Sequence, residues 1–257
     1  MRIAIIGAGK MGAWLAQALA SGNEIAVFDK DAARVQAVNG AKPLSSVTGL
    51  EGFRPQVLIN AVSLQNTVEA FGEAAPYLPK DCLICDVASI KGEIQAYYRK
   101  AGFRFASVHP MFGPTFADMK ALKEENAVII SESDPEGKEL FGKLFSGLGV
   151  RVFEYSFEEH DRMMAYSLTT PFTASLVFAA CMESAAVPGS TFARHRSLAR
   201  GLLSEDDHLL AEILFNPHSL PQLEKITSRL EFLKHVIRAR DYDEAKRFFS
   251  KLRKNVG

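Results

Sequence analysis

A glycine-rich turn near the start of the chain limits the possible folds more than any other feature. Gly7, Gly9 and Gly12 follow the apolar segment Arg2–Ile6, and a helical pattern begins at Met11. In such a strand–turn–helix, the first glycine permits the tight turn, the second lets the backbone approach a pyrophosphate, and the third lets helix and strand pack closely. The N–H groups and positive dipole of the helix N-terminus favour phosphate. The turn therefore predicts a Rossmann-like fold that binds a dinucleotide.

An acidic residue follows the second predicted strand, Glu24–Phe28. Asp29 lies 17 residues after Gly12, where a carboxylate can accept hydrogen bonds from ribose hydroxyls and repel a 2′-phosphate. NAD is therefore favoured over NADP, although Lys30 and Arg34 lie nearby and leave the strictness of this preference open. The alternative is a glycine-rich turn that binds no dinucleotide. The residues predicted to contact the cofactor belong to the turn, the acid and the end of the third strand: Gly7, Gly9, Lys10, Met11, Gly12, Asp29, Ala61, Val62 and Ser63.

Short apolar runs alternate with helical patterns over about the first 155 residues. The predicted helices include Met11–Ala20, Thr67–Ala75 and Glu136–Leu148. Alternation of this kind predicts a doubly wound, mostly parallel α/β sheet. The predicted strands are Arg2–Ile6, Glu24–Phe28, Val57–Ala61, Leu83–Asp86, Arg104–His109, Ala127–Ile130 and Val150–Phe153.

Strand patterns end at Tyr155, and the remaining segments are typical of helices. The sequence therefore predicts two domains, residues 1–155 with the nucleotide-binding fold and residues 156–257 entirely helical. Ser167–Met182 is mostly apolar, but it is shorter than a membrane span of about 20 residues and contains Pro171. A helix buried on all sides, for which a subunit interface is one setting, is favoured over membrane insertion. The predicted helices are Phe157–Ser184, Phe192–Leu203, Asp206–Leu214, Leu220–Arg240 and Tyr242–Arg253.

The composition is that of an ordinary soluble protein. Equal numbers of basic and acidic residues, 30 of each, give no indication of nucleic-acid or membrane binding. Three cysteines and no signal-peptide pattern predict a cytoplasmic protein without a disulfide framework. Cys82 and Cys85 lie three residues apart on a predicted strand, so they face opposite sides of it. Such a pair suits neither a metal nor a redox centre, and no metal site is predicted.

Two segments at predicted strand ends carry the candidate catalytic side chains. Residues 86–92 include Ser89, and residues 107–115 include His109 and Thr115. An open α/β sheet places its ligands at the carboxyl ends of its strands. A histidine held by a following proline is suited to acid/base chemistry. The alternative for His109 is a hydrogen-bonded structural role.

These segments resemble the prephenate/arogenate dehydrogenase family. The similarity lies in the glycine-rich turn, Asp-Val-Ala-Ser-Ile-Lys at 86–91, His-Pro-Met-Phe-Gly-Pro at 109–114 and Glu-His-Asp-x-x-Met-Ala at 159–165. The resemblance spans nearly the whole chain and implies tyrosine biosynthesis and homodimerisation through a helical domain. It implies NAD-dependent oxidative decarboxylation of prephenate to 4-hydroxyphenylpyruvate, with arogenate as the alternative substrate. His109 matches the family's catalytic histidine, which hydrogen-bonds the 4-hydroxyl, and Ser89 matches the serine that orients these groups.

An anionic substrate needs cationic partners, and three arginines lie close together. Arg196 and Arg200 are four residues apart and share a helical face, whereas Arg194 does not join them there. The resemblance implies a carboxylate-binding arginine in this segment, and a bidentate guanidinium suits a carboxylate. Arg200 is the favoured candidate. Thr115 and Thr169 complete the predicted substrate-binding set.

The chain departs from the family inside the long helix. Many family members carry two histidines where this chain has Thr169 and Phe172. The choice between prephenate and arogenate therefore stays open, with prephenate favoured as the commoner activity. His160 and Asp161 match the family, but capping or interdomain hydrogen bonding explains them as well as substrate contact does.

Two other functions compete with this interpretation. One is a reductase of the 3-hydroxyacid dehydrogenase type, which typically uses a lysine or threonine of its helical domain. The pairing of Ser89 with His109 argues against it. The other is a non-catalytic NAD-binding sensor, which needs no ordered His109 near the nicotinamide.

Overall fold

A twisted eight-stranded sheet forms the first part of the molecule. The computed structural model describes residues 1–113, 122–183 and 187–257. The strand order is β3-β2-β1-β4-β5-β6-β7-β8, and β7 is antiparallel to β6 while the other neighbouring pairs are parallel. The predicted doubly wound, mostly parallel sheet is confirmed. The strands are β1 Arg2–Ile6, β2 Glu24–Phe28, β3 Lys42–Pro43, β4 Val57–Asn60, β5 Leu83–Asp86, β6 Arg104–Pro110, β7 Asn126–Ile130 and β8 Arg151–Tyr155.

Helices cover both faces of this sheet. Successive strand residues point to opposite faces, and each face packs against its own set of helices. Ile3 and Ile5 of β1 lie in one apolar core, and Ala4 and Ile6 lie in the other. Central strands buried on both faces read as continuous apolar runs, which is why the sequence predicted most of them. The helices of this part are α1 Lys10–Leu19, α2 Ala32–Gln36, α3 Gly49–Phe53, α4 Thr67–Ala74, α5 Gly92–Ala101 and α6 Pro135–Gly147.

After Tyr155, the regular elements of the described residues are all helices. The predicted helix over 157–184 is interrupted by a π-helical turn at Ala165–Thr169. Pro171 follows this turn; a proline inside a helix removes a backbone donor and crowds the preceding turn, and the wider π-turn accommodates that change. The helices are α7 Phe157–Met164, α8 Thr170–Ala180, α9 Ser190–Leu202, α10 Asp207–Phe215, α11 Ser219–Ala239 and α12 Tyr242–Val256.

The long apolar segment is less buried within one chain than its composition suggests. Phe157–Ala180 is long and apolar enough to cross a membrane, a criterion that core helices of other proteins also meet. Only 22% of its most apolar window is buried. Much of its apolar surface is therefore available to a partner of some kind.

The two cysteines of the predicted strand lie as their spacing requires. Cys82 packs in one core, and Cys85 packs in the core on the other side of the sheet. Burial raises the pKa of the Cys82 thiol to about 12. Burial also holds the pKa of the Cys85 thiol well above its usual range, so both thiols are protonated, apolar packing groups.

Candidate active site

The glycine-rich turn has different requirements at its three glycines. Gly7 has φ +95°, and a Cβ there would lie 2.7 Å from the backbone of Ala61. A Cβ on Gly12 would lie 1.8 Å from the carbonyl oxygen of Gly7. The protein's own packing therefore requires glycine at both positions.

Gly9 differs, because its packing does not explain the glycine. Its φ is −66°, and a Cβ at this position would meet no atom of the described residues within 4 Å. A side chain would project into open space at the N-terminus of α1, where backbone N–H groups favour an anion. The turn therefore fits a phosphate-bearing ligand that approaches the backbone closely.

A cavity of about 220 Å³ lies beside this turn, at the carboxyl edge of β1, β2 and β4. Six of the nine predicted cofactor-contacting residues line it: Gly7, Gly9, Asp29, Ala61, Val62 and Ser63. Lys10, Met11 and Gly12 lie in the first turn of α1, outside the lining. The structure thus brings the turn, the acid and the end of β4 to one cavity.

Asp29 fixes the turn as well as lining the cavity. Its carboxylate accepts hydrogen bonds from the N–H of Ala8 (2.6 Å) and the N–H of Asp31 (2.8 Å). These bonds use one oxygen each, and each carboxylate oxygen has a second acceptor position. Asp29 can therefore hold the turn and bind ribose hydroxyls at the same time.

The two cations at this cavity are already paired with acids. Lys30 lies 3.3 Å from Glu73 and 3.7 Å from Glu69, and the hydrogen bond to Glu73 raises the pKa of Lys30. Arg34 lies 3.4 Å from Asp31. These pairs reduce the positive charge that a 2′-phosphate would meet.

His109 lies at the end of β6 and is 6% exposed. Its Nδ1 lies 3.1 Å from Nε2 of His160 on α7, and Nδ1 of His160 lies 3.2 Å from Oδ1 of Asp161. Burial holds the pKa of His109 well below its usual range, and His160 and Lys91 lower it further. The imidazole is therefore neutral near pH 7 and able to accept a proton.

A buried ion pair supports the strand end that carries His109. Nζ of Lys91 donates to Oδ1 of Asp86 (2.7 Å) and to the carbonyl of Val108 (2.8 Å), the residue before His109. Tyr98 of α5 donates to Oδ2 of Asp86 at 2.8 Å. Burial lowers the pKa of Lys91, and Asp86 opposes that effect. The network connects β5, α5 and β6 at the point where the candidate base lies.

Ser89 is half-buried in the loop between β5 and α5. Among the described residues, no hydrogen bond joins Ser89 to His109, so their pairing stays a prediction. Thr115 lies outside the described residues.

The three arginines are exposed on α9. Arg196 and Arg200 line a shallow cavity of about 430 Å³ with Ala199 and Leu203, and Arg194 does not contribute to it. Within the described ranges, no hydrogen bond or ion pair links these arginines to His109. Their role in carboxylate binding therefore stays a prediction.

Thr169 lies within the helical packing. It is 2% exposed, and its hydroxyl lies 2.7 Å from that of Ser219, which donates to the carbonyl of Ile213. Its hydroxyl thus serves the contact between the π-turn and α11. Phe172 is half-buried nearby in the sequence.

Sequence reasoning did not assign site roles to Asp86, Lys91 or Tyr98, and it left that of His160 open. Asp86 and Lys91 are the first and last residues of the 86–91 segment, and His160 lies in the 159–165 segment. The family resemblance of these segments therefore pointed to three of the four residues. Capping of α7 is done by Ser156, which accepts a hydrogen bond from the N–H of Glu159. His160 is therefore free of that role and faces His109 instead.

Proteins of known name are similar to this chain in sequence. A relative from Methanocaldococcus jannaschii named "Probable arogenate/prephenate dehydrogenase" is 22% identical over 78% of this chain and 48% of its own length. Arogenate dehydrogenase 2 of Arabidopsis thaliana is 25% identical over 91% of this chain and 69% of its own. The chain thus spans about half the length of the first relative and about two thirds of the second.

The crystal structure of prephenate dehydrogenase from A. aeolicus has the same fold. Its TM-score is 0.85 at 16% identity, covering 99% of this chain and 96% of that one. Residues 16–153, more than half of the chain, match the family model described as "Prephenate dehydrogenase, nucleotide-binding domain". The chain therefore belongs to the prephenate/arogenate dehydrogenase family.

Proposed function

We propose that this protein is an NAD-dependent prephenate dehydrogenase that forms 4-hydroxyphenylpyruvate and carbon dioxide, a step of tyrosine biosynthesis. The observation that carries the proposal is His109, a buried neutral imidazole at the carboxyl edge of the sheet that also bears the glycine-rich turn. Ligands of open α/β sheets bind at this edge. Family membership supports the same reaction.

NAD is the proposed cofactor. The A. aeolicus structure is complexed with NAD+ and hydroxyphenyl propionate. In this chain the backbone at Gly9 would hold the phosphates, and Asp29 would hold the ribose hydroxyls. Bound NAD supplies the acceptor for the hydride that leaves C4 of the substrate. The pairing of Lys30 and Arg34 with acids supports NAD over NADP.

His109 acts on the 4-hydroxyl group of the substrate. Its Nε2 takes the hydroxyl proton as the hydride leaves C4, so that a ring carbonyl forms. The bond between the ring and its carboxylate then breaks, carbon dioxide leaves, and the electron pair makes the ring aromatic. The phenolate oxygen takes the proton back from His109. Prephenate and NAD+ thus yield 4-hydroxyphenylpyruvate, carbon dioxide and NADH without net proton release.

Arogenate is the second candidate substrate. Two Arabidopsis relatives matching 91% of this chain are named arogenate dehydrogenases. Both substrates undergo the same ring chemistry and differ in their side chains. We assign the binding of a substrate carboxylate to Arg200, with Arg196 beside it on the same cavity.

A homodimer formed by the helical part completes the proposal for a cytoplasmic enzyme. Ser219 is the one buried residue of the 21-residue helix α11 within the described chain. Leu223, Leu230 and Ile237 are exposed and seven residues apart, so they form an apolar stripe along one face. A second copy of this chain would remove that stripe from water.

The experiment that tests the proposal mixes the purified protein with NAD and either prephenate or arogenate and follows the absorbance of the reduced cofactor. We expect turnover that is faster with prephenate than with arogenate and faster with NAD than with NADP. Faster turnover of arogenate would identify arogenate as the preferred substrate. No reduction of NAD with either substrate would contradict the proposed activity.

A further inference from the structure

His109 forms part of a line of three hydrogen-bonded side chains. His160 is fully buried between His109 and Asp161, with its two ring nitrogens 3.1 Å and 3.2 Å from its neighbours. The Asp161 side chain is 26% exposed. The line therefore runs from the buried candidate base to a partly solvated carboxylate.

The chemistry of the donors fixes the direction of both hydrogen bonds. An ionised carboxylate only accepts, so Nδ1 of His160 donates to Asp161. Burial lowers the pKa of both histidines, so each ring is neutral and carries a single N–H near pH 7. Nε2 of His160 therefore accepts from Nδ1–H of His109. This order leaves Nε2 of His109 unprotonated, which is the form that a base requires.

Among the described residues, the other charged groups near His109 are Lys91 and Asp86, which form an ion pair of their own. Lys91, in the loop after β5, opposes protonation of both histidines and is itself paired with Asp86. Tyr98 of α5 donates to that same carboxylate. Asp86 also favours the charged form of His160, but within the described part of the chain Asp161 is the acid that hydrogen-bonds the histidine pair directly.

We infer that His160 and Asp161 are positioning residues, which hold His109 in the Nδ1–H tautomer and stabilise its ring when Nε2 takes the substrate proton. The inference rests on the proposed function, in which the proton returns to the product oxygen from the same Nε2. The order of N–H groups is therefore restored in each turnover. No proton has to leave through His160, and Asp161 acts by orientation and charge.

The tautomers can be measured without substrate or cofactor. In the protein labelled with ¹⁵N-histidine, ¹H–¹⁵N NMR spectra near neutral pH distinguish N–H at Nδ1 from N–H at Nε2. The His109→Asn and His160→Gln variants assign the two signals. We expect both rings to be neutral and protonated at Nδ1. A His109 ring protonated at Nε2 would overturn the inference, whatever the enzyme's activity.

Substitutions at the two positioning residues test how they affect the tautomer and the charge of His109. In Asp161→Asn the amide can donate to His160, which reverses both hydrogen bonds and puts the proton of His109 on Nε2. We expect kcat to fall at least about tenfold, within the range of general-base effects, with unchanged KM for NAD. His160→Phe should lose activity similarly, whereas His160→Gln retains an acceptor and should recover part of it.

Glu158→Gln is the matched control, because Glu158 is an exposed acid on the same helix paired with Arg162. It should retain wild-type kcat and the wild-type histidine spectrum. An Asp161→Asn variant with wild-type kcat and an unchanged His109 tautomer would overturn the inference. If the wild-type protein turns over neither substrate, the proposed function fails, and the NMR spectrum still decides whether the tautomer assignment is correct.

Discussion

Gly9 and Gly12 lie three residues apart in one turn, but a side chain would have different effects at the two positions. A side chain on Gly12 would collide with the carbonyl of Gly7, whereas a side chain on Gly9 would enter open space. We expect Gly12→Ala to lower the free energy of unfolding by about 3 kcal/mol, as overpacking does. Gly9→Ala should change it little and weaken NAD binding at least about tenfold, because the methyl group would occupy the position of a phosphate.

Urea unfolding and NADH fluorescence titration measure the two effects separately. Equal losses of stability in both variants would contradict a ligand-based requirement at Gly9. Undiminished cofactor affinity in Gly9→Ala would place the phosphates elsewhere.

The buried neutral state of His109 makes stability depend on pH. The folded protein resists protonation of this ring, whereas the unfolded chain binds a proton below about pH 6.5. Below about pH 6.5 the unfolded state therefore binds a proton at His109 that the folded state does not bind. The free energy of unfolding falls as the pH decreases through this range. Between pH 7 and pH 5, the free energy of unfolding should fall by about 1–2 kcal/mol less in His109→Gln than in wild type.

Urea unfolding at a series of pH values measures this difference. A His109→Gln variant that matches wild type at every pH would show that the ring is not kept neutral in the folded protein.

Single residues of the site were predictable where a local pattern implied a local geometry. The turn glycines and Asp29 follow recognisable strands, His109 ends another, and the fold places them at the carboxyl edge of the sheet. The contact between His109 and His160 joins residues 51 positions apart, and no periodicity in the sequence specifies it. The burial of Lys91 was not predictable either, because a lysine is ordinarily exposed.

At the scale of elements, the Asp86–Lys91 pair connects β5, α5 and β6 beneath the candidate base. Lys91 is 1% exposed, so replacing it with methionine leaves the Asp86 carboxylate buried without a cation. We expect Lys91→Met to lower the free energy of unfolding by about 3–5 kcal/mol. The double variant Asp86→Asn with Lys91→Met should recover part of this loss.

Lys30→Met is the control, because Lys30 also pairs with acids but lies on the surface. Its urea midpoint should stay close to that of wild type. A small effect of Lys91→Met would mean that the buried network does not support the strand ends.

The elements predicted from the sequence are those with strong periodicity. β1, β2 and β5 were predicted with their observed bounds, because buried parallel strands are continuous apolar runs. The two-residue β3 and the five-residue helices α2 and α3 are too short to show a period. In α5 only Ile94 and Tyr98 are buried, so the polar residues between them hide its amphipathic pattern.

The exposed apolar stripe on α11 predicts that the protein self-associates. Ile237 is 72% exposed, and a glutamate there would place a charge in the proposed interface. We expect sedimentation velocity to show a dimer for wild type and a monomer for Ile237→Glu. Ser228→Glu, on the opposite side of the same helix, should stay dimeric. A monomeric wild type would contradict the homodimer.

In the proposed NAD-dependent oxidative decarboxylation, His109 is the base. The most direct test measures NADH and carbon dioxide together as wild type and His109→Asn act on prephenate. We predict equal amounts of the two products, and a kcat about 10²–10⁴ lower in the variant at unchanged NAD affinity. A variant as fast as wild type would contradict the proposed role of His109, and a wild type that forms neither product from prephenate or arogenate would contradict the proposed activity.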